Sequence, residues 1–210
     1  LGAVLAAGGP ELTRLLERTE ERLAEVGSRH GAELGAHADG TLSAGGKRLR
    51  PILVFLCGAG DPDELVLAAT AVELLHMATL VHDDVLDRAE LRRGKPTVLT
   101  AAGRLAATAT GDLLFSRAFA ELAHNGIPES VRVLSGASSA LAEGELLQRE
   151  DAWNVGVSRE RYEQRCDLKT ARLFQAACEL GALEGTAPVD VLGRFGRRIG
   201  LAFQMLDDVL

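Results

Sequence analysis

Apolar and polar positions along this chain repeat with a helical period almost throughout. Ala, Leu, Glu and Arg dominate, and β-branched clusters with strict alternation are missing. A first helix is expected from Glu11 to Val26, ending at Gly27, with a Gly- and Ala-rich loop running on to Gly46. Pro51 suits the first turn of a second helix, closed by Gly58 and Gly60. Asp61-Pro62-Asp63-Glu64 places an Asp cap, a proline at the first helical position and acid in the first turn, and so opens a long helix reaching Arg88. Further helices are expected over 104–124, 128–150, 158–180 and 188–210, with Pro128 and Pro188 near two starts and Gly181 near one end. The fold class is therefore all-α: an array of long, mostly antiparallel helices, some too apolar for a surface, able to line a central cavity. No internal repeat or long linker divides residues 1–210, so one domain is expected.

Composition narrows the function. A net charge of −7 and only eight Phe, Trp and Tyr residues in 210 argue against nucleic acid as partner. No uncharged stretch exceeds ten residues, so no integral membrane segment is expected, and the N-terminus lacks the basic leader of a signal peptide. Cys57, Cys166 and Cys178 are odd in number and show no metal-binding spacing, which fits a reducing cytoplasm better than a disulfide frame.

The long helix carries the first candidate chemistry. Between Glu73 and Asp87 it holds four acids and no Lys or Arg. At 100° per residue His76, Asp83 and Asp87 lie within about 20° of one line, with Asp84 one step round. Carboxylates this close repel unless a cation compensates, and a hard ion such as Mg²⁺ binds through one or two carboxylates plus substrate phosphates. A His-Asp phosphohydrolase is excluded, because His30, His37 and His124 lack metal-ligand spacing.

Basic residues follow two glycine-containing turns. Gly45-Gly46-Lys47-Arg48-Leu49-Arg50 sets three cations behind glycines, and Arg92-Arg93-Gly94-Lys95 follows the acidic cluster by five residues. Arg and Lys hold phosphate oxygens by charge-assisted bonds, and glycine lets backbone approach an anion. The first segment is not a Walker A loop, since Gly46 stands where its Lys belongs. The chain closes with Gln204, Asp207 and Asp208 on one helical face. Two Asp-Asp pairs, each ending an apolar helix, suit a diphosphate held through several metal ions.

With GGKRLRP at 45–51, ELLHMATLVHDDVLDRAELRRGKPTV at 73–98, GDLLFSRAF at 111–119, EGELLQ at 143–148, KTARLF at 169–174 and GLAFQMLDD at 200–208, the chain resembles the trans-prenyltransferases, or polyprenyl diphosphate synthases. The resemblance implies the isoprenoid synthase fold and head-to-tail condensation of an allylic diphosphate with isopentenyl diphosphate. It implies Mg²⁺, three ions per active site with substrate bound, held by Asp83, Asp84, Asp87, Asp207 and Asp208. Arg92, Lys169, Thr170 and Gln204 resemble contacts to the allylic diphosphate. Gly46, Lys47, Arg50, His76 and Arg93 resemble the isopentenyl diphosphate site. Members are usually homodimers. In the family the second acidic motif has a third Asp and further helices follow, so a C-terminal part is expected to be missing here. Asp167 stands where the family often has basic residues.

With the diphosphate at the Asp end, the prenyl tail runs back along the helix, and Leu75, Ala78 and Thr79 are expected to form the floor that limits chain length. Ala78 and Thr79 are small, so products longer than farnesyl diphosphate are expected, with a geranylgeranyl diphosphate synthase as the alternative. A terpene cyclase has no second diphosphate to hold and does not need the two basic turns. A non-catalytic subunit of a two-component synthase tends to lose the Asp motifs, whereas the first is intact here.

Overall fold

A computed structural model describes residues 2–28, 37, 41 and 46–209. Its elements are α1 (Gly2–Ser28), α2 (Leu49–Cys57), α3 (Pro62–Asp87), the two-residue strands β1 (Leu91–Arg92) and β2 (Lys95–Pro96), α4 (Val98–Ala123), α5 (Pro128–Glu150), α6 (Arg159–Cys166), a π turn (Asp167–Ala171), α7 (Arg172–Leu183) and α8 (Val189–Asp207). The Gly- and Ala-rich loop expected before Gly46 lies mostly outside the described residues, as does Leu210.

α3 is the centre of the fold. Leu65, Val72, Leu74, Leu75, Met77, Ala78, Val81 and Val85 are all buried, around most of its circumference. It packs on α4 most extensively, and also on α1, α2 and α7. By length and composition it could cross a membrane, but most of its apolar span is buried inside the protein, which marks it as a core helix. Its start follows the expected chemistry: the Asp61 carboxylate accepts from the Asp63 N–H at 2.7 Å, with Pro62 in the first turn.

Three boundaries differ from expectation. α1 begins at Gly2, but Gly9 at φ 69° breaks it just before Pro10, near the expected start at Glu11. α4 begins at Val98 rather than 104, capped by Thr97, with a break at Gly103. The basic segment around Arg92 and Arg93, for which the sequence pattern predicts no element, is a tight hairpin, in which Leu91 pairs with Pro96 and Arg92 with Lys95. Arg93 (φ 51°) and Gly94 (φ 75°) both take left-handed backbone, as a two-residue turn of the right twist requires. Propensity for helix elsewhere says nothing about so short a ladder.

The expected helix over 158–180 is continuous in space but widened by the π turn, which packs against α5, α6 and α8. α8 meets α7 and the π turn through Gly193, Gly196 and Gly200, all buried. A Cβ at Gly200 would lie 2.6 Å from the Ala171 Cα, so helix backbones meet there without side chains between them.

Candidate active site

Two cavities flank α3, and residues of the first acidic segment and of both basic segments line them. One, about 890 Å³, runs between α3, α4 and α5. Asp83, Glu145, Arg104, Arg149 and Lys169 supply its charged groups, and Leu75, Phe115 and Leu141 are among its apolar walls. The other, about 360 Å³, is lined by Gly46, Lys47, Arg50, Glu73, His76, Arg93 and Phe203, among others. A charged mouth with a long apolar wall and a separate cationic cavity can receive two diphosphates of different tail length.

In the larger cavity Asp83 is 20% exposed and lies 3.9 Å from Lys169 Nζ, which also donates to Glu145 at 2.5 Å. Burial pushes the Asp83 carboxyl up to about 6; Lys169 opposes this, and the charges of Glu145 and Asp87 add to it. Asp87 is 3.8 Å from Arg149, and Arg149 is 3.2 Å from Glu145. Asp84 is buried and accepts from Arg92 Nε at 2.8 Å. Among the described residues no three His, Cys, Asp or Glu side chains gather at metal-binding spacing. The donor set nevertheless fits Mg²⁺. It consists of hard carboxylate oxygens, one of them crowded by neighbouring negative charge, and Mg²⁺ takes few protein ligands and completes its shell with phosphate and water.

In the second acidic pair, Asp208 is held from two sides. The Gln204 carbonyl oxygen accepts from Thr170 Oγ1 at 2.5 Å, and its amide donates to Asp208 at 2.7 Å. The Tyr162 hydroxyl donates to the other Asp208 oxygen at 2.7 Å. Thr170 and Lys169, adjacent in sequence, thus serve different partners: Lys169 reaches α3 and α5, and Thr170 reaches α8. Asp207 ends α8 and is exposed. Asp167, which disturbs the expected charge balance, is taken up by Arg172 at 3.2 Å and by Arg197 at 2.5 Å.

In the cationic cavity Arg50 is pushed down to about 10 by burial, against the pull of Glu73, and so stays charged at neutral pH. Its guanidinium lies 4.7 Å from the centre of the Phe174 ring, and its buried Nε has no hydrogen-bond partner among the described residues. His76 is driven well below its ordinary range by burial and then by Arg50, Arg93, Arg48 and Arg92, so it stands neutral among cations. Gly46 allows Arg93 to close in; a Cβ there would be 3.3 Å from Arg93 Nη1. The strand separates the neighbours Arg92 and Arg93, the first to Asp84 and the second to this cavity.

Two expectations need correction. Leu75 and Thr79 line the 890 Å³ cavity, but Ala78 is fully buried in the core and is not part of its wall; Phe115 of α4 is. Arg48, read as one of three phosphate-binding cations, is buried against Glu73 and Glu20. Sequence reasoning also missed Glu145, Tyr162 and Phe203. Glu145 and Phe115 lie inside quoted motifs, but their partners come from other helices.

Comparison with known proteins gives the chain a family. The family profile described as Polyprenyl synthetase matches residues 32–210. Heptaprenyl diphosphate synthase component 2 of Geobacillus stearothermophilus is 39% identical over 201 residues, covering 93% of this chain and 63% of that protein. Octaprenyl diphosphate synthase of Escherichia coli K12 is 38% identical over 175 residues, covering 80% of this chain and 54% of that one. The crystal structure of heptaprenyl diphosphate synthase from Staphylococcus aureus superimposes with a TM-score of 0.90 at 32% identity, over 94% of this chain and 65% of the other. The chain thus spans less than two thirds of the length of these relatives. With the profile running from residue 32 to the last, and the fold shared over nearly the whole chain, the chain belongs to the polyprenyl synthetase family.

Proposed function

We propose that this chain is the working part of a trans-polyprenyl diphosphate synthase that joins isopentenyl diphosphate to an allylic diphosphate, making products longer than farnesyl. The single observation that carries this reading is the pair of cavities flanking α3, one cationic and one apolar with a mouth of carboxylates and cations.

Lys47, Arg50 and Arg93 bind the diphosphate of isopentenyl diphosphate, and neutral His76 adds a hydrogen bond without adding charge. Lys169, Arg92, Thr170 and Gln204 contact the allylic diphosphate. Asp83, Asp84, Asp87, Asp207 and Asp208 would hold magnesium, three ions with substrate bound. When bound, the metal neutralises charge building on the leaving diphosphate. Lys169 adds a fixed cation at the same place. The walls from α3, α4 and α5 keep water from the allylic cation, and the proton lost after condensation leaves with the released diphosphate.

The unit at work is a single all-α domain in the cytoplasm, paired with a second copy of itself. The three buried free thiols support the compartment, and Leu105 of α4, 86% exposed, supports a covered face. The name "component 2" of the Geobacillus relative carries a second reading, in which the partner is a different chain.

The test is a product assay with isopentenyl diphosphate, Mg²⁺ and each allylic starter, with the dephosphorylated products sized by chromatography. A ladder passing twenty carbons is expected; a single twenty-carbon product favours a geranylgeranyl diphosphate synthase, and no condensation refutes the reading. Thr79→Phe is expected to shorten the ladder by at least one five-carbon unit, because Thr79 lines the cavity and its hydroxyl already donates to the His76 carbonyl at 2.7 Å. Ala78→Phe is expected instead to cost about 1–3 kcal/mol of stability by overpacking the core. Unchanged products from Thr79→Phe would move the floor to α4 and α5.

A further inference from the structure

Glu73 is out of place on first inspection. It lines a cavity built from Lys47, Arg50 and Arg93, where a carboxylate repels the anion these cations attract. It is 4% exposed, and Arg48 Nη1 donates to it at 2.7 Å. On the far side, Arg48 Nε and Nη2 meet Glu20 of α1, the latter at 2.9 Å. Burial opposes the charge on Arg48, but the hydrogen bonds and charges of Glu20 and Glu73 outweigh it, so the guanidinium stays ionised.

The backbone of Arg48 is equally unusual. At φ 46°, ψ 38° it adopts the left-handed conformation that residues with a Cβ avoid, and its carbonyl accepts from Ile52 N at 3.0 Å to start α2. Arg48 is the residue at which the chain bends from the glycine turn into the helix. Lys47 precedes the bend and Arg50 follows it, and both line one cavity.

We propose that Glu73 and Glu20 are positioning residues for the isopentenyl diphosphate site, gripping Arg48 from two sides so that its strained bend holds Lys47 and Arg50 toward the same anion. This rests on the functional reading above. It also ties α1, which supplies no group to either diphosphate, to substrate affinity.

The sign of the effect separates positioning from simple charge. Glu73→Gln removes a negative charge from the wall of an anion cavity. Through-space electrostatics alone would therefore tighten diphosphate binding. Positioning predicts the reverse: KM for isopentenyl diphosphate rises about tenfold, while KM for the allylic substrate and kcat at saturation stay within about twofold. Glu20→Gln acts from the exposed side, where the fold tolerates change, and is expected to raise the same KM about threefold.

Calorimetric titration of the full-length protein with inorganic diphosphate in metal-free buffer reads the site without turnover. Weaker binding by both variants supports the proposal, even if the unaltered protein condenses nothing; the functional reading would then fail alone. If Glu73→Gln does not fold, Glu20→Gln decides. Equal or tighter binding, or a parallel rise in both KM values, overturns the proposal.

Discussion

Asp83→Asn is expected to lower kcat by about 10²–10³-fold while making the protein harder to unfold. The two effects have one cause. Burial has pushed this carboxyl up to about 6 from an ordinary 3.8, with the charges of Glu145 and Asp87 adding to it. A folded-state value above the unfolded one gives stability that is fully present below about pH 4 and lost as pH rises through 6. At pH 7 the native protein therefore carries a cost of roughly 2–3 kcal/mol for an ionised Asp83. Asparagine keeps the shape and removes the charge, and Lys169 keeps Glu145 at 2.5 Å. In EDTA at pH 7 the variant is expected to melt about 5 °C higher, with the difference vanishing near pH 4. Thermal denaturation at the two pH values, beside the product assay, checks both halves. A variant that loses activity and stability together would make Asp83 a structural residue.

Gly144→Ala is expected to damage the site although it adds only one methyl group. Within a helix, glycine to alanine ordinarily gains about 1 kcal/mol. Here the added Cβ would lie 2.6 Å from the Lys169 backbone nitrogen and 2.9 Å from its Cα. Backbone cannot swing aside as a side chain can, so α5 and the π turn must separate. Overpacking of this kind costs about 1–3 kcal/mol, which cancels or exceeds the helical gain. The larger loss is chemical. Lys169 moves away from Asp83 and from Glu145 on the displaced helix, and an error of about 1 Å at a reacting group can cost about 10²-fold in rate. A fall in kcat with little change in KM for isopentenyl diphosphate would confirm that the disturbance stays on this side of α3. Activity near that of the unaltered protein would show that the two elements can part without moving Lys169.

The helices, and the helix ends that carry Asp83 to Asp87 and Asp207 to Asp208, were legible because helical period, caps and charge all act within a few residues. So was the distribution of cations, since Arg and Lys after glycine turns have few uses inside an apolar fold. What escaped depends on distant partners. Nothing near Arg48 announces that Glu73, 25 residues after it, and Glu20, 28 residues before it, pair with its guanidinium at the cavity wall. Ala78 and Thr79 are neighbours of similar size, and only the packing of α4 and α5 decides which meets the open space. The hairpin of Arg92 and Lys95 is too short for any periodicity, although Gly94 hinted at it. The π turn has no compositional mark, although it carries both Lys169 and Thr170, which reach different helices.

The inner face of α8 carries Gly193, Gly196 and Gly200, and at those three positions it brings no rotamers of its own. Where two helices meet through long side chains, each torsion adds play, and the errors accumulate along the stack. Here the seat of Gln204 and Asp208 is machined directly into the main chain, so the second acidic pair inherits the tolerance of peptide geometry. Such a joint allows little adjustment: its three glycines spend no side-chain entropy in holding register, and they leave little soft matter to absorb a misfit.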